Sequence, residues 1–498
     1  MAMPPSAVDE PPPTGAWGSE RAMNPLEAFM WRIESDPRLR SPMTAVYLLD
    51  CSPDWDRLMA ALEWGTRIVP RARMHAVEPP LGLAEPVWAV DPRFDLRYHA
   101  RRVRVPPPGS LEQALELAQG IAMRPFDRAR PPWEAVLLEG LEDGRAAWVL
   151  KVHHSLTDGL GGVQLAMLLH SRRREHTPKK PMPPPPEPEP LGRIGALADR
   201  VGDRLRRAPG GLVEGVRRAS GMAGAVAAHP QEAAGDALDL ARSFGRMLAP
   251  PPCPPSPLLR GRSLSWRFGV LECTLDELKA AGKAAGGTLN DAYIAALLGG
   301  LRRYHEALGE PVEELPMAMP INIRAGDHPM GGNRFAGARF AAPIGVEDPT
   351  ERIALVREFV LTARAEPALD AMGALAGVLS RIPAPLAARW YGAQSQNIDL
   401  QASNVPGAPV PLYIAGAQIE RVYPFGPLPG CAVMVGLLSH AGTCCIGINA
   451  DAAAVTEHAL FMECLQSGLD EVLRLGASRR VAAPKPDGRD PVRAKARA

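Results

Sequence analysis

No stretch of this 498-residue chain stays apolar for long enough to cross a membrane, which takes ~20 uninterrupted residues in a helix. The most apolar window runs from Cys431 to Leu438 and on through Cys444 to Ile448, and Gly436, Ser439, His440 and Gly442 interrupt it. It reads as two buried strands joined by a turn at His440 to Gly442. A secretory pattern is missing too: the N-terminus is rich in Pro, Gly, Ser and acid, without a basic start and an apolar core. Cysteine is scattered, with seven residues, an odd number, and no CxxC pair. Both features point to a reduced compartment, the cytoplasm. HExxH, spaced His/Cys clusters and acid-rich loops are lacking, so no metal is expected. No GxSxG elbow is present, which disfavours an acyl-serine intermediate. Neither sign of charge dominates: 56 Lys and Arg against 55 Asp and Glu leave a net charge of +1. A surface that tracks nucleic acid throughout is thereby excluded.

What is present is the composition of a globular protein, 46% hydrophobic, with length for two large domains or about three of ~150 residues. Residues 1–22 are expected to be disordered. Asn24, Pro25 and Glu27 then supply an N-cap, a first-turn proline and an acid for a helix to about Glu34. A strand near Thr44 to Asp50, a helix over 54–67 and a proline-rich segment to about Arg93 follow. Ser110 to Met123 reads as a helix, Trp133 to Glu139 and Ala146 to Val152 as strands, with Asp143-Gly144 as their turn. A helix restarts at the apolar run Val163, Leu165, Met167 and Leu168.

From Ser171 to Arg262 the composition shifts to Pro clusters, Ala and Gly with an excess of base, which makes this segment the linker between halves 23–170 and 263–477. Within it Ile194, Leu197, Val201 and Leu205 form a helical stripe flanked by Arg193, Arg200, Arg204, Arg206 and Arg207. Such a helix either packs on a domain with its charges solvated or lies on an anionic membrane surface. The second half has capping boxes at Thr274–Glu277 and Thr288–Asp291, the latter opening a helix to about His305. Strands are expected at Met317–Ile323, Arg334–Ala342, Ile398–Ser403 and Leu412–Ile419, and helices over 350–365, 368–380 and 454–475. The basic tail 478–498 is expected to be disordered. The fold class is therefore mixed α/β in two halves joined by a long crossing linker.

The sharpest chemical feature is His153-His154-Ser-Leu-Thr-Asp158-Gly159, at the end of the second strand. Successive side chains on a strand face opposite ways, so only one of the two histidines can enter a given pocket. An imidazole, with an ordinary pKa near ~6.5, can take a proton from a hydroxyl or amine at cellular pH. Asp158, followed by a turn-permitting glycine, suits a residue that fixes the loop by pairing with an arginine. The alternative is a hydrogen-bonded histidine pair without chemistry.

Lys151 to Gly159 resembles the HHxxxDG signature of the CoA-dependent acyltransferase superfamily, which includes chloramphenicol acetyltransferase and peptide-synthetase condensation domains. Further blocks are similar to the bacterial wax ester synthase/diacylglycerol acyltransferase family: Met23–Phe29, Pro125–Glu134, Asn290-Asp291, Gly332-Asn333, Ser403–Gly407 and Tyr423–Pro427. They span about Met23 to Leu475 in the family's order. Pro132, Ala408 and Gly426 depart from its pattern, where Leu, Pro and Ser are usual.

The resemblance implies two chloramphenicol-acetyltransferase-like subdomains with the active site in a channel between them. His154 would be the general base, with His153, Asp158 and Gly159 completing the motif and Asp158 structural. Substrate contacts would come from Asn290, Asp291, Ser403, Asn404 and Trp133. Each has a plainer reading: Asn290 and Asp291 as first-turn helix residues, Ser403 to Gly407 as a turn, and Asp127, Arg130 and Trp133 as a packing cluster. The implied donor is acyl-CoA, a substrate, so no cofactor is called for. The implied acceptor is diacylglycerol or a long-chain alcohol, with peripheral contact at a membrane or lipid-inclusion surface. A same-fold enzyme acting on a polyketide or glycolipid hydroxyl, or a non-catalytic lipid-binding homologue, stays open.

Overall fold

The computed structural model describes residues 17–18, 20–176, 180–203, 206, 253–322, 335–364 and 382–482. In the first half, helix α1 (Pro25–Ile33) starts at the reciprocal capping box of Asn24 and Glu27. Strand β1 (Pro42–Leu49) and helix α2 (Trp55–Ile68) follow, then a small hairpin of β2 (Met74–Val77) and β3 (Val87–Val90). A one-turn helix α3 (Leu96–His99), β4 (Ala100–Arg104), α4 (Leu111–Met123, capped by Ser110 and Gln113), β5 (Trp133–Glu139), β6 (Ala146–His153) and α5 (Gly159–Leu169) complete it. The β5–β6 turn places Asp143 and Gly144 at φ 59° and 72°, the left-handed pair that a tight hairpin requires.

Linker residues 193–203 form helix α6, which packs on the first half through a residue outside the Ile194, Leu197 and Val201 stripe. Ala196 is the residue that packs, against Val77, Val87 and Ala89. Arg200 to Glu85 and Arg21 to Asp199, each at 2.9 Å, hold its flanks. Ile194 and Val201 remain 78% and 47% exposed. Residues 204, 205 and 207–252, including Arg204, Leu205 and Arg207, lie outside the described residues.

The second half runs β7 (Trp266–Thr274), α7 (Leu275–Ala284), α8 (Leu289–Ala307), β8 (Glu314–Asn322), β9 (Phe335–Pro343), α9 (Pro349–Arg364), α10 (Ala384–Ser395), β10 (Leu400–Val405), β11 (Tyr413–Ile414), β12 (Ala417–Phe425), β13 (Val433–His440), β14 (Thr443–Asp451) and α11 (His458–Ala482). Helix α8 is buried on nearly every side against α11 and the sheet, with Tyr293, Leu297, Leu298 and Leu301 in the largest core. The helix expected over 368–380 and the Gly332-Asn333 element lie outside the described residues.

Two six-stranded sheets result, ordered β11-β12-β1-β6-β5-β4 and β7-β14-β13-β10-β8-β9. The division at residue 263 therefore needs correction as a spatial boundary, because β11 and β12 belong to the first sheet. β12 pairs antiparallel with β1, Tyr423 opposite Val46, and thereby satisfies backbone groups that an open edge of β1 would expose. The single strand expected over Leu412–Ile419 is instead a hairpin whose turn sets Ala415 and Gly416 at φ 46° and 95°. Where β12 crosses the second sheet it passes so close that a Cβ on Gly447 would lie 2.0 Å from the Pro424 carbonyl oxygen.

Two terminal expectations also change. Trp17 is buried against Ile68 and Val69 and Ala22 bridges to Val87, so order begins before residue 23. At the other end α11 continues to Ala482, past the boundary set at 477. Among the described residues no helix is long and apolar enough to cross a membrane.

Candidate active site

The pleat of β6 decides between the two histidines. Trp148, Leu150 and Val152 point toward Tyr47 and Trp133, whereas Ala147 and Val149 point toward α4. His153 falls in the second set and is fully buried. His154 continues the first set and lines a cavity between the two sheets.

His153 is held at both ring nitrogens. Its Nδ1 accepts from the Ser155 backbone N–H at 3.0 Å and lies 2.7 Å from Ser155 Oγ. A backbone N–H can only donate, so the proton sits on Nε2, which donates to Glu34 Oε1 at 2.8 Å. The same Glu34 oxygen accepts from the Ser41 N–H at 2.6 Å, and the Ser41 carbonyl accepts from the His154 N–H at 2.9 Å. Burial opposes the charge on Glu34, yet His153 and the Ser41 N–H together hold its carboxyl below the usual range. One carboxylate thus braces the ring of His153 and, through Ser41, the backbone of His154. Trp31 meets the His153 ring edge-on at 5.0 Å. Glu34 carries no sequence signal, since it stands 119 residues from the histidine it braces.

Lys151 shares the buried face with His153. It donates to the Arg124 carbonyl at 2.6 Å and sits over the Phe126 ring; burial lowers its pKa to about 8.

Asp158 is the N-cap of α5, its Oδ1 accepting from the Gly161 N–H at 2.8 Å. This fixes the loop after the histidines to the start of the helix. Gly159 stands where the halves touch: a Cβ there would fall 2.8 Å from Val405 Cγ2 at the end of β10.

The second half supplies the opposite wall. Ser403 and Asn404, paired in register with Gly436 and Leu437 of β13, line the same cavity as His154, Asp158 and Gly159. Asn290 and Asp291 do not line it. Asp291 is the buried third residue of α8, in a capping box with Thr288 and 3.5 Å from Arg357. Asn290 reaches the site only indirectly, accepting from Asn404 Nδ2 at 3.4 Å. Trp133 does line the cavity, but its Nε1 is taken by the Ala72 carbonyl at 2.7 Å and its ring stacks on His99 at 4.6 Å.

The cavity measures about 980 Å³, at the upper end of the range for small-molecule sites. Its walls are mainly apolar and include Leu58, Leu62, Leu165 and Leu169 from α2 and α5 and Met319 and Met434 from the second sheet. Helix α5 suits this place: GLGGVQLAMLL is apolar on most sides, and only Gly161 is fully buried in it. Among the described residues no group of three or more His, Cys, Asp or Glu side chains could hold a metal ion.

The family model described as the wax ester synthase/diacylglycerol acyltransferase catalytic domain matches residues 23–293, and that of the same family's C-terminal domain matches 331–472. The chain belongs to the wax ester synthase/diacylglycerol acyltransferase family. A Mycobacterium tuberculosis (strain H37Rv) protein named "Putative diacyglycerol O-acyltransferase" is 43% identical over 457 residues, covering 91% of this chain and 92% of the relative. A second protein of that strain, with the same description, is 29% identical, covering 93% and 99%. In fold, the chain is similar to the wax ester synthase/diacylglycerol acyltransferase of Marinobacter aquaeolei VT8, with a TM-score of 0.60, 22% identity, and coverage of 92% and 100%. The first condensation domain of the CDA synthetase follows at TM-score 0.54, 14% identity, covering 91% and 97%. This is the mixed α/β, two-lobed architecture that the motif resemblance implies.

Against the family's pattern, the departure at Gly426 has a local counterpart. A Cβ at Gly426 would lie 2.8 Å from both Cγ and Cε of Met434, so the methionine fills space that the family's usual serine would enter. The carbonyl of Pro132 accepts from the His153 N–H at 2.9 Å, a role for which any residue serves. Nothing in the structure explains Ala408.

Proposed function

We propose that this acyltransferase moves a long-chain acyl group from acyl-CoA to the hydroxyl of diacylglycerol or a long-chain alcohol, with His154 as general base. The observation that carries the reading is the placement of His154 on an apolar cavity between the sheets, opposite Ser403 and Asn404. In the proposed step His154 takes the hydroxyl proton while the oxygen attacks the thioester carbonyl. The new C–O bond forms, the C–S bond breaks, and the proton passes to the departing CoA thiolate. Ser403 and Asn404, which line the cavity beside His154, would donate to the developing oxyanion. His153, Glu34 and Asp158 act as positioning residues. Acid-base help of this kind is worth ~10² to 10⁴-fold, and juxtaposition of two bound substrates supplies much of the rest. The chemistry calls for no cofactor. The names of the mycobacterial relatives favour diacylglycerol as acceptor.

The decisive experiment measures thiol release from palmitoyl-CoA with and without diacylglycerol, hexadecanol and shorter alcohols. Release that depends on the alcohol, with no burst in its absence, is expected of direct transfer. Failure of every alcohol to stimulate release would end the proposal.

The acceptors reside in lipid, and the exposed Ile194 and Val201 with Arg193 on α6 support contact with an anionic lipid surface.

A further inference from the structure

We propose that Tyr47, His170 and His440 form a hydrogen-bonding cradle at the end of the cavity away from His154, and that it selects acyl chains carrying a neutral oxygen substituent, a hydroxyl or keto group, far from the thioester. The inference rests on the acyl-transfer reading for the identity of the chain, but the cradle itself rests on geometry.

Three elements run from the histidine motif to the cradle. On β1, Pro42 pairs with His153 and Tyr47 with Trp148, a separation of five residues or about 17 Å along the strand. Helix α5 begins at Gly159 and ends eleven residues later at His170, its C-cap, about 16 Å away. On β13, Gly436 lies opposite Ser403, and His440 follows four residues on. Tyr47, His170 and His440 all line the cavity that His154 lines. The rings of Tyr47 and His170 are 5.7 Å apart.

Their polar atoms are underused. His170 Nδ1 is buried without a well-formed hydrogen bond, the Ala166 carbonyl being the backbone group that meets the ring. His440, 1% exposed, donates from Nε2 to the Ile419 carbonyl at 3.0 Å, which leaves Nδ1 as a lone-pair acceptor. Buried polar groups are seldom left unpaired, because their lost hydration goes uncompensated. A plain hydrocarbon chain would be served better by apolar residues, which Leu58, Leu62, Leu412 and Ile414 already provide nearby. A ligand oxygen supplies what is missing: a hydroxyl can donate to His170 Nδ1 or His440 Nδ1, and a hydroxyl or keto oxygen can accept from the Tyr47 hydroxyl.

The site favours a neutral group over a carboxylate. Burial lowers the pKa of His170 to about 4, with the Ala166 carbonyl pulling weakly the other way, and raises that of Tyr47 to about 12. Burial lowers that of His440 as well. None of the three carries charge near pH 7.

The test uses the full chain and palmitate together with hydroxypalmitates whose hydroxyl moves stepwise along the chain. Binding is read by displacement of a fluorescent fatty acid, and turnover by thiol release from the CoA thioesters. One positional isomer, substituted in the distal part of the chain, should bind about tenfold more tightly than palmitate, the effect of one or two neutral hydrogen bonds. Tyr47→Phe and His170→Phe should each erode that preference, read as the ratio of hydroxypalmitate to palmitate affinity within the same variant. Tyr47→Phe removes only a hydroxyl, so it guards against misfolding of the histidine variant. The proposal is overturned if no isomer outbinds palmitate, if the preference survives in both variants, or if it appears only with hydroxylated acceptor alcohols. Selective binding without thiol release would instead overturn the acyl-transfer reading and leave the cradle standing.

Discussion

Gly159 and Val405 touch across the two halves of the molecule. A Cβ at Gly159 would lie 2.8 Å from Val405 Cγ2, closer than packed carbon atoms approach. The last residue of the histidine motif and the end of the strand bearing Ser403 and Asn404 therefore set each other's position, and the width of the cavity at His154 depends on this contact. Gly159→Ala should lower kcat/KM and cost about 1–3 kcal/mol of stability through overpacking. Val405→Ala in the same chain should restore much of both. A double-mutant cycle read by thermal unfolding and thiol release checks the coupling, and additive losses would show that the contact is not shared.

The two histidines should separate cleanly by mutation. His154→Ala is expected to remove ~10² to 10⁴-fold of turnover with little change in Tm. His153→Ala strands the buried carboxylate of Glu34 and should destabilise the protein by about 2 kcal/mol or more. Near-normal turnover in His154→Ala would remove the proposed base.

Glu34→Gln tests the brace between them. A neutral amide cannot hold both the His153 Nε2–H and the Ser41 N–H with the strength of a carboxylate. A fall in kcat with little change in KM is expected, along with a shifted pH–rate profile. Glu34→Asp, which keeps the charge, should recover part of the loss. A change in Tm alone, with kcat intact, would mark Glu34 as purely structural.

Acid should destabilise the fold partly through buried imidazoles. His170 has its pKa lowered to about 4 by burial, while in the unfolded chain it lies near ~6.5. Between these values the unfolded state binds more protons, so stability is complete above about pH 6.5 and declines as pH falls toward 4. The contribution of His170 is on the order of 3 kcal/mol at most. His75, His99, His305, His440 and His458 are shifted downward by burial too and act in the same direction. Chemical denaturation across pH 4 to 7 measures the slope, and His170→Phe should flatten it.

At the position where the family usually carries serine, Gly426→Ser should clash with Met434 and destabilise, and adding Met434→Ala should relieve the clash. Because both residues line the cavity, the double variant should also alter the ratio of activities toward diacylglycerol and hexadecanol. An unchanged ratio would place this pair outside acceptor selection.

Local chemistry made much of the molecule legible in its sequence. Asn24, Ser110, Thr274 and Thr288 cap the helices they announce. Asp143-Gly144 turns β5 into β6, and the apolar runs Cys431–Leu438 and Cys444–Ile448 form β13 and β14. The ordered blocks from Met23 to Leu475 carried the family, and strand alternation dictated that only one of His153 and His154 could face a pocket. The packing of Asp291 into a helix cap was likewise open to reading from Thr288 three residues earlier.

Strand alternation alone left open which histidine faces the cavity; the resemblance named His154, and the sheet puts that residue on the cavity side. β6 has core on both faces, with Trp148 on one and Val149 on the other, so its pattern names no inside. The answer came from Glu34 and Ser41, more than a hundred residues away, closing on His153 and leaving the other face to the cavity. The same holds for β12, which lies in the second half of the chain but completes the first sheet beside β1, and for α6, where small Ala196, not the larger Ile194, meets the domain. Capping, turns and periodicity act over a few residues and are written in order along the chain. Sheet membership, the facing of a two-sided strand and the convergence of Tyr47, His170 and His440 depend on pairings between distant segments, which only the packed structure fixes.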